Sequence, residues 1–556
     1  MKPFDSTPRG RLAAFRRAVL NGAALLLCCW PVLSAQAAPA TFAHPGLLHA
    51  EADFTRMKTK VDRGEQPWTA SFKRLTDNGH ASLNWTPRPA EIIYRGYDGV
   101  HGQNYPQLYR DTAAAYAHAL RWKVSGDARH ADKAVEIMNA WSGTLQHLYG
   151  TSDRFLAAGI YGYQFANAAE IMRSYPGWAA ADFERFKTMM LEVFYPLNYR
   201  MLTDHNDARV DHYWANWDLA NMASMMAIGV LTDRGDLYDR AVDYFKHGEG
   251  NGAIGHAVWH IHANGLGQWQ EAGRDQGHTV LGIGLMAAIC EMAWQQGDDL
   301  YGYDDNRFLK GAEYVATYNL FKEVPFEPYY NRSHGLHTEA SAIARGQIRP
   351  VWETVYNHYV KRMGLSAPNV EAMVAKVRAE GGGAEGGGGD YGSSSGGYDQ
   401  LGHGTLSYSL SGPLEDGLYA VASLNSTMLL DAANGGVANG TGIIQWPYNR
   451  GANQVWRFEH LGASRYKITG SASGRALDVA NAAVSNGSKV HLWDYFGGAN
   501  QIWQVTPVDN RYFRLCPTHA RGSCLDVQGV SKAKGAQVQL WQYLGGANQH
   551  WALLPR

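Results

Sequence analysis

The stretch from Tyr213 to Lys246 reads YWANWDLANMASMMAIGVLTDRGDLYDRAVDYFK. Apolar residues fall at helical spacing over Asn216–Leu231 and again over Leu237–His247. Gly235-Asp236 separates the two runs. Glycine ends a helix by turning left-handed, and aspartate caps the next one. A join this short folds the pair into an antiparallel helical hairpin. The same pattern extends outward from it. Helices are predicted over Leu108–Val124, Ala128–Leu145, Phe155–Arg173, Asp182–Phe194, Thr279–Gln296 and Arg307–Tyr318, with two more between Val351 and Val377. Gly126-Asp127 and Gly297-Asp298 punctuate them again. Hairpins repeated over so long a stretch predict an all-α toroid or barrel of helix pairs rather than a simple bundle.

Downstream lies Gly267–Gly284, GQWQEAGRDQGHTVLGIG. It gathers Glu271, Arg274, Asp275, Gln276 and His278 just before an apolar helix. Read on a helix, Glu271, Arg274 and His278 fall in one row, at i, i+3 and i+7, on one face. A carboxylate, a guanidinium and an imidazole so aligned suit a site that handles anions and protons. A second polar cluster, His212, Tyr213, Asn216 and Trp217, opens the Asn216 helix, where Asn and His are poor interior residues. Tyr163, Gln164 and Asn167 form a third, open to ordinary packing or to substrate contact.

Composition bounds the classes. The chain has 556 residues, enough for two or more domains. Formal charge is −1, so no basic field argues for nucleic acid. The 18 Trp and 31 Tyr exceed what cores require, and aromatic faces suit sugars. Residues 1–38 read as an export signal: Arg9, Arg11, Arg16 and Arg17, the apolar run Ala23–Trp30, then Ala35-Gln36-Ala37. A secreted or periplasmic protein is expected, with no membrane association after signal removal. No segment beyond the signal is expected to be long and apolar enough to span. Cys516 and Cys524 are candidates for a disulfide, and Cys290 for a core position. The segment Glu380–Gly404 reads either as a flexible linker or as a glycine-rich strand-and-loop closing the helical domain.

Beyond about Gly417 short strands and Gly/Asn turns take over, with three repeats. Leu430-Asp431, Leu477-Asp478 and Leu525-Asp526 recur at near-equal intervals, as do Trp446, Trp493 and Trp541. Asn453-Gln454-Val-Trp456, Asn500-Gln501-Ile-Trp503 and Asn548-Gln549-His-Trp551 follow them. This Q-x-W signature resembles the ricin-type β-trefoil, carbohydrate-binding module family 13. The resemblance implies an all-β trefoil over residues 415–556, with Trp456, Trp503 and Trp551 in its core. It implies sugar pockets built from an Asp, a polar residue, an aromatic and the Asn-Gln pair. The third repeat has Asp526, Gln539, Trp541, Asn548 and Gln549. The second has Asp478, His491, Trp493, Asn500 and Gln501. The first has Asp431, Trp446, Asn453 and Gln454, with Ile444 at the polar position. The pockets therefore rank third, second, first.

The segments TFAHPGLLHAEADFTRMKTKV, YWANWDLANMASMMAIGVLTDRGDLYDRAVDYFK and EAGRDQGH resemble alginate lyases, nearest polysaccharide lyase family 38 and more distantly family 5. The resemblance spans about residues 41–410. It implies an (α/α) toroid that cleaves 4-linked polyuronate by β-elimination without a cofactor or metal. Its partners would be an acidic polysaccharide and a second glycan at the trefoil. Elimination removes the C5 proton and expels O4, so the site needs donors on the carboxylate, a base and an acid. His212 and Asn216 are candidate donors, Arg274 a bidentate clamp and Glu271 its orienter. Tyr213, Tyr314, Tyr329 and Tyr330 are candidate proton carriers, with His278 an alternative base. Gln164, Trp217, Trp269 and Tyr330 are expected to touch substrate. The family tyrosine after the arginine falls here on Leu281, so that role does not transfer. Rival readings are a metal enzyme using His256, His260 and His262 or His334, His337 and Glu339; a glycoside hydrolase on the same toroid; and a non-catalytic sugar binder.

Overall fold

The pattern of apolar residues is realised as helices, and two kinds of helix divide the labour. In the computed structural model, which describes residues 42–462, 464–509 and 511–556, the helices Pro106–Ser125, Gly162–Met172, Ala215–Leu231 and Gln276–Gln296 are buried around most of their circumference. Each packs on the next, and Gln276–Gln296 packs on Trp352–Tyr356. The succession closes through Gly404–Ser407 and Glu51–Asp62 back onto Pro106–Ser125. Helices with one apolar face back this inner ring: Ala128–Ser142 lies against Pro106–Ser125, and Gly235–His247 against Ala215–Leu231. The N-terminal domain is thus an all-α toroid of inner and outer helices.

Small residues set the spacing of the inner ring. A methyl on Gly159 would come within 2.7 Å of Ala220, and one on Gly162 within 2.2 Å of the Ser224 hydroxyl. Those contacts let the Gly162–Met172 and Ala215–Leu231 helices touch backbone to side chain. Two polar groups of the Ala215–Leu231 helix are paired with Asn198 of the neighbouring Tyr195–Asp204 helix: Asn198 donates to Asn221, and Ser224 donates to Asn198. Single π-turns at 157–161, 190–194 and 357–362 interrupt helices that the sequence reads as continuous. The Gly126-Asp127 reading holds, with Gly126 left-handed and Asp127 accepting from the Arg129 amide. Gly235 departs from it: it lies inside the second helix, whose cap is Arg234.

Gln276–Gln296 corrects one expectation. It is long and apolar enough to cross a membrane, but 94% of its apolar window is buried inside the protein. It is the core helix of the toroid. The export signal lies outside the described residues. The glycine-rich segment is ordered structure. Gly387 bridges Gly402, Arg349 pairs with Asp399 at 2.8 Å, and the Asn78 amide donates to the Gly388 carbonyl. Glycine is required here: a methyl on Gly387 would sit 2.1 Å from the His403 ring.

From Gly417 the chain forms a twelve-stranded antiparallel β-trefoil. Trp456, Trp503 and Trp551 fill its core, and their indoles donate to the carbonyls of Leu430, Leu477 and Leu525. Cys516 and Cys524 form a disulfide, and Cys290 is buried. Glu415 in the join pairs with Lys60 of the first helix at 3.4 Å.

Candidate active site and sugar pockets

Glu271 and Arg274 do not lie on the helix. The helix begins at Gln276 with Asp275 as its cap, and Glu271–Arg274 is a tight turn leading in, closed by the Arg274 amide on the Glu271 carbonyl at 2.8 Å. The helical-row reading is thereby corrected, because the Asp275 cap starts the helix one turn later. The turn still brings the three side chains together. Arg274 Nη1 donates to Glu271 Oε2 at 2.8 Å, and its Nη2 lies 3.2 Å from His278 Nε2. His278 Nδ1 meets Asp275 Oδ2 at 2.7 Å. Nδ1–H therefore donates to the carboxylate, and the Nε2 lone pair accepts from the Arg274 guanidinium. Asp275 is held below the usual carboxylate range: burial pushes it up, but the hydrogen bonds from His278 and the charge of Arg274 outweigh that.

Glu271 is fully buried and organises this corner. It accepts from the Asn216 backbone at 2.9 Å and from the Asn216 side-chain amide at 2.9 and 2.8 Å, besides Arg274. The amide that was expected to meet a substrate carboxylate is therefore spent on Glu271, while Asn216 Oδ1 is left buried without a partner. Arg274 stacks on Trp214, 5.3 Å from its ring. Trp214 also faces His334 at 4.9 Å and His337 at 5.7 Å. Burial, then the charges of Arg274, His212 and His337, hold His334 below the ordinary histidine range.

The second polar cluster flanks this corner. His212 lies edge-on to Tyr213, 4.7 Å away, and its Nδ1 is 2.8 Å from the Ser333 hydroxyl. Tyr213 packs on Trp217 at 4.6 Å, and its hydroxyl accepts from Asn206. Asn206 in turn accepts from Arg154, beside the parallel pair Ile92–Arg95 and His147–Gly150. Tyr329 accepts from Gln270, and burial raises its phenol. Tyr330 is largely exposed.

Two expected contacts are elsewhere. Gln164 is buried and donates to the Tyr398 carbonyl, so it fastens the glycine-rich segment. Trp269 is wholly buried against Gly282 and Gly311, a core residue with no face for a sugar. Tyr314 is buried and donates to the Pro325 carbonyl. His262 bonds Gln268 and stacks on Tyr314. Among the described residues no group of three His, Cys, Asp or Glu is gathered as metal ligands would be. Sequence reasoning missed Asp275 as the partner of His278, His334 and Trp214 as walls, and the Arg154–Asn206 support behind Tyr213. The capping position of Asp275 before a helix was the available signal for the first.

In the trefoil each repeat turns its Asp toward its Asn. The Asn amides reach Asp431, Asp478 and Asp526 at 2.8, 2.8 and 2.6 Å. Gln539 donates to Asp526 at 3.0 Å, and His491 meets Asp478 at 2.8 Å while stacking on Trp493. A cavity of about 520 Å³ lies on the third repeat, lined by Asp526, Gln539, Trp541, Leu544, Asn548 and Gln549 among others. The Gln side chains are otherwise engaged. Gln549 donates to the Gln542 carbonyl and accepts from the Leu544 amide, as Gln454 and Gln501 do in their repeats. They clamp the loop after each tryptophan, so their amides are tied to backbone.

Residues 64–326 match the family model of alginate lyase, and residues 407–493 and 499–556 match that of the ricin-type beta-trefoil lectin domain-like family. No curated protein matches the chain. Among solved structures, the designed three-fold symmetric protein ThreeFoil is 39% identical over 25% of this chain and 100% of its own, with a TM-score of 0.25. An exo-beta-1,3-galactanase from Clostridium thermocellum is 33% identical over 27% of this chain and 33% of its own, with a TM-score of 0.25. The Rhizoctonia solani agglutinin is 21% identical over 26% of this chain and 97% of its own, with a TM-score of 0.24. The chain carries an alginate lyase domain, that of a polysaccharide lyase, followed by a ricin-type β-trefoil lectin domain as its carbohydrate-binding module.

Proposed function

We propose that the chain is an exported lyase, nearest family 38, that cleaves 4-linked polyuronate, polymannuronate before guluronate or glucuronan, by β-elimination. Arg274 pairs with the uronate carboxylate and offsets the second negative charge that develops as C5 loses its proton. As Arg274 Nη2 turns from His278 to that carboxylate, the His278 Nε2 lone pair is released and takes the proton, its ring held in the right tautomer by Asp275. The C5–H electrons form the C4–C5 double bond as the C4–O4 bond breaks. Tyr213 gives its proton to O4: its hydroxyl accepts from Asn206, which leaves its own hydrogen free to donate. His212 and the neutral His334 line the approach to the carboxylate and offer ring N–H groups to it. The trefoil holds the enzyme on its polymer, where several weak pockets add by avidity.

The observation that carries this reading is the Glu271–Arg274–His278–Asp275 chain of contacts, which puts a fixed cation and an oriented lone pair side by side. It disfavours a hydrolase, which needs two opposed and available acids; Glu271 is buried and committed to Asn216 and Arg274. The test is to incubate the protein with polymannuronate, polyguluronate and glucuronan and follow the ultraviolet absorbance of unsaturated ends. Arg274→Ala is expected to lower kcat/KM by roughly 10²- to 10³-fold. Turnover unchanged in that variant would defeat the assignment.

A further inference from the structure

The three trefoil repeats are not chemically equivalent, and the differences collect in one pocket. Asn439 and Asn486 are equivalent positions in the first and second repeats, and each reaches the pocket of the following repeat. Asn439 Oδ1 accepts from the Asp494 amide at 2.9 Å, and Asn486 Oδ1 from the Gln542 amide at 2.7 Å. The third repeat has Lys534 at this position, and it faces the first pocket. There the acceptor Asn would find nothing to bind, because Pro447 replaces Asp494 and Gln542 and has no N–H. Lys534 instead places its ammonium 5.6 Å from the Trp446 ring.

A second change adds to it. Gly497 and Gly545 turn the rim loops of the second and third pockets with left-handed backbone, φ +77° and +74°. The first pocket holds Arg450 there, at φ +62°. A side chain in that conformation costs roughly 1–2 kcal/mol, so an arginine is a strained choice where glycine serves the sister repeats. Neither Lys534 nor Arg450 makes an ion pair among the described residues. A third change is Ile444, which removes the polar group that Gln539 and His491 supply. The contact of a cation with the loop tyrosine does not distinguish the pockets, since Arg556, Lys467 and Arg514 make it in all three.

We propose that the first-repeat pocket binds an acidic sugar, a uronate, while the second and third take neutral sugars. The sugar's hydroxyls would meet Asp431 and Asn453, its ring Trp446, and its carboxylate Lys534, with Arg450 adding positive charge from the rim. The inference stands apart from the lyase reading, because it uses no residue of the helical domain.

The test uses the full chain with Arg274→Ala, so that polymer is not consumed, in affinity electrophoresis through gels holding polymannuronate. Adding Lys534→Asn and Arg450→Gly, the residues that the sister repeats carry, is expected to weaken retention about three- to ten-fold at low salt. Trp541→Ala should leave polymannuronate retention unchanged. Polymer with its carboxylates reduced to alcohols should lose the dependence on Lys534. Retention indifferent to Lys534→Asn with Arg450→Gly would overturn the proposal, and so would equal Lys534-dependent retention by dextran sulfate, which would mark a general anion site. A native chain that produces no unsaturated ends but keeps the Lys534 dependence would defeat the lyase reading and leave this one standing.

Discussion

The helical domain and the trefoil each set a buried carboxylate against an asparagine, and use the pair in opposite ways. In the trefoil, Asp526 meets Asn548 at 2.6 Å and still lines a cavity of about 520 Å³. Both its oxygens accept from side chains, Gln539 and Asn548, but the carboxylate stays at the cavity wall, where a ligand's hydroxyls can reach its remaining lone pairs. In the toroid, Glu271 meets Asn216 at 2.8 and 2.9 Å but is wholly buried, and its remaining capacity goes to Arg274. It is scaffolding that holds Asn216 and Arg274 in place. The same two side chains thus make a binding site or a support, and the difference is access.

The comparison breaks most directly at Glu271. Glu271→Ala leaves Arg274 without its anchor and the Asn216 amide buried without an acceptor. Removing one partner of such a buried pair costs about 3–5 kcal/mol. A clear fall in melting temperature and loss of nearly all lyase turnover are expected together. Asp526→Ala should do the reverse, abolishing sugar binding at the third pocket while thermal melting of the toroid is untouched. Equal melting temperatures for Glu271→Ala and the native chain would show that Glu271 is not the support described here.

Asp218 sharpens the contrast because it is a buried carboxylate with no cation in contact. Its carboxylate accepts from the Gly252 amide at 3.0 Å and from Tyr244 at 3.2 Å, with His205 4.0 Å away. Burial pushes it up to about 7. The folded state therefore holds a proton that the unfolded chain releases near pH 4. Stability from this group is fully present below pH 4 and is lost as pH rises through 7. The change is on the order of 4 kcal/mol. Asp218→Asn, which keeps an acceptor for both donors, should raise the melting temperature at pH 8 and leave it nearly unchanged at pH 4. A variant that melts below the native chain at pH 8 would contradict this.

Between these lies the Asp275–His278 pair. Asp275→Asn removes the acceptor that fixes the His278 tautomer, and about a 10- to 100-fold loss of kcat is expected, with KM little changed. A KM effect alone would make Asp275 a cap and nothing more.

How far these sites could be read in the sequence follows from how each is assembled. The trefoil pockets repeat, so Asp431, Asp478 and Asp526 and their tryptophans stand at matching positions along the chain. The ring of helices was legible for the same reason, since helical spacing of apolar residues is local. The corner around Arg274 is not. It joins the 212–217 segment, the 269–278 turn and the 329–337 hairpin, and no spacing in the chain announces that His334 meets Trp214. Trp269 and Gln164 were misleading because aromatic and amide groups beside ionisable ones look alike whether they face the core or the solvent. Spacing also misled: Glu271 and Arg274 stand at helical intervals from His278, but the Asp275 cap leaves both in the turn before the helix.

The smallest effect separates the trefoil's own pockets. Trp541 and Trp493 stand on the rims of the third and second pockets, and Trp493 is 40% exposed. Stacking on such a ring contributes about 1 kcal/mol. Trp541→Ala should therefore weaken binding of a neutral oligosaccharide roughly five-fold at that pocket, and Trp493→Ala by a similar factor. Neither should alter turnover on short oligouronates, which reach the toroid without help from the module. Turnover on polyuronate embedded in a matrix that also carries neutral glycan should fall in both, because each pocket lost shortens the time the enzyme stays on that matrix. If embedded and short substrates responded alike, the second and third pockets would not be acting by retention, and the division between a supporting carboxylate in one domain and ligand-facing carboxylates in the other would not describe how the two domains work together.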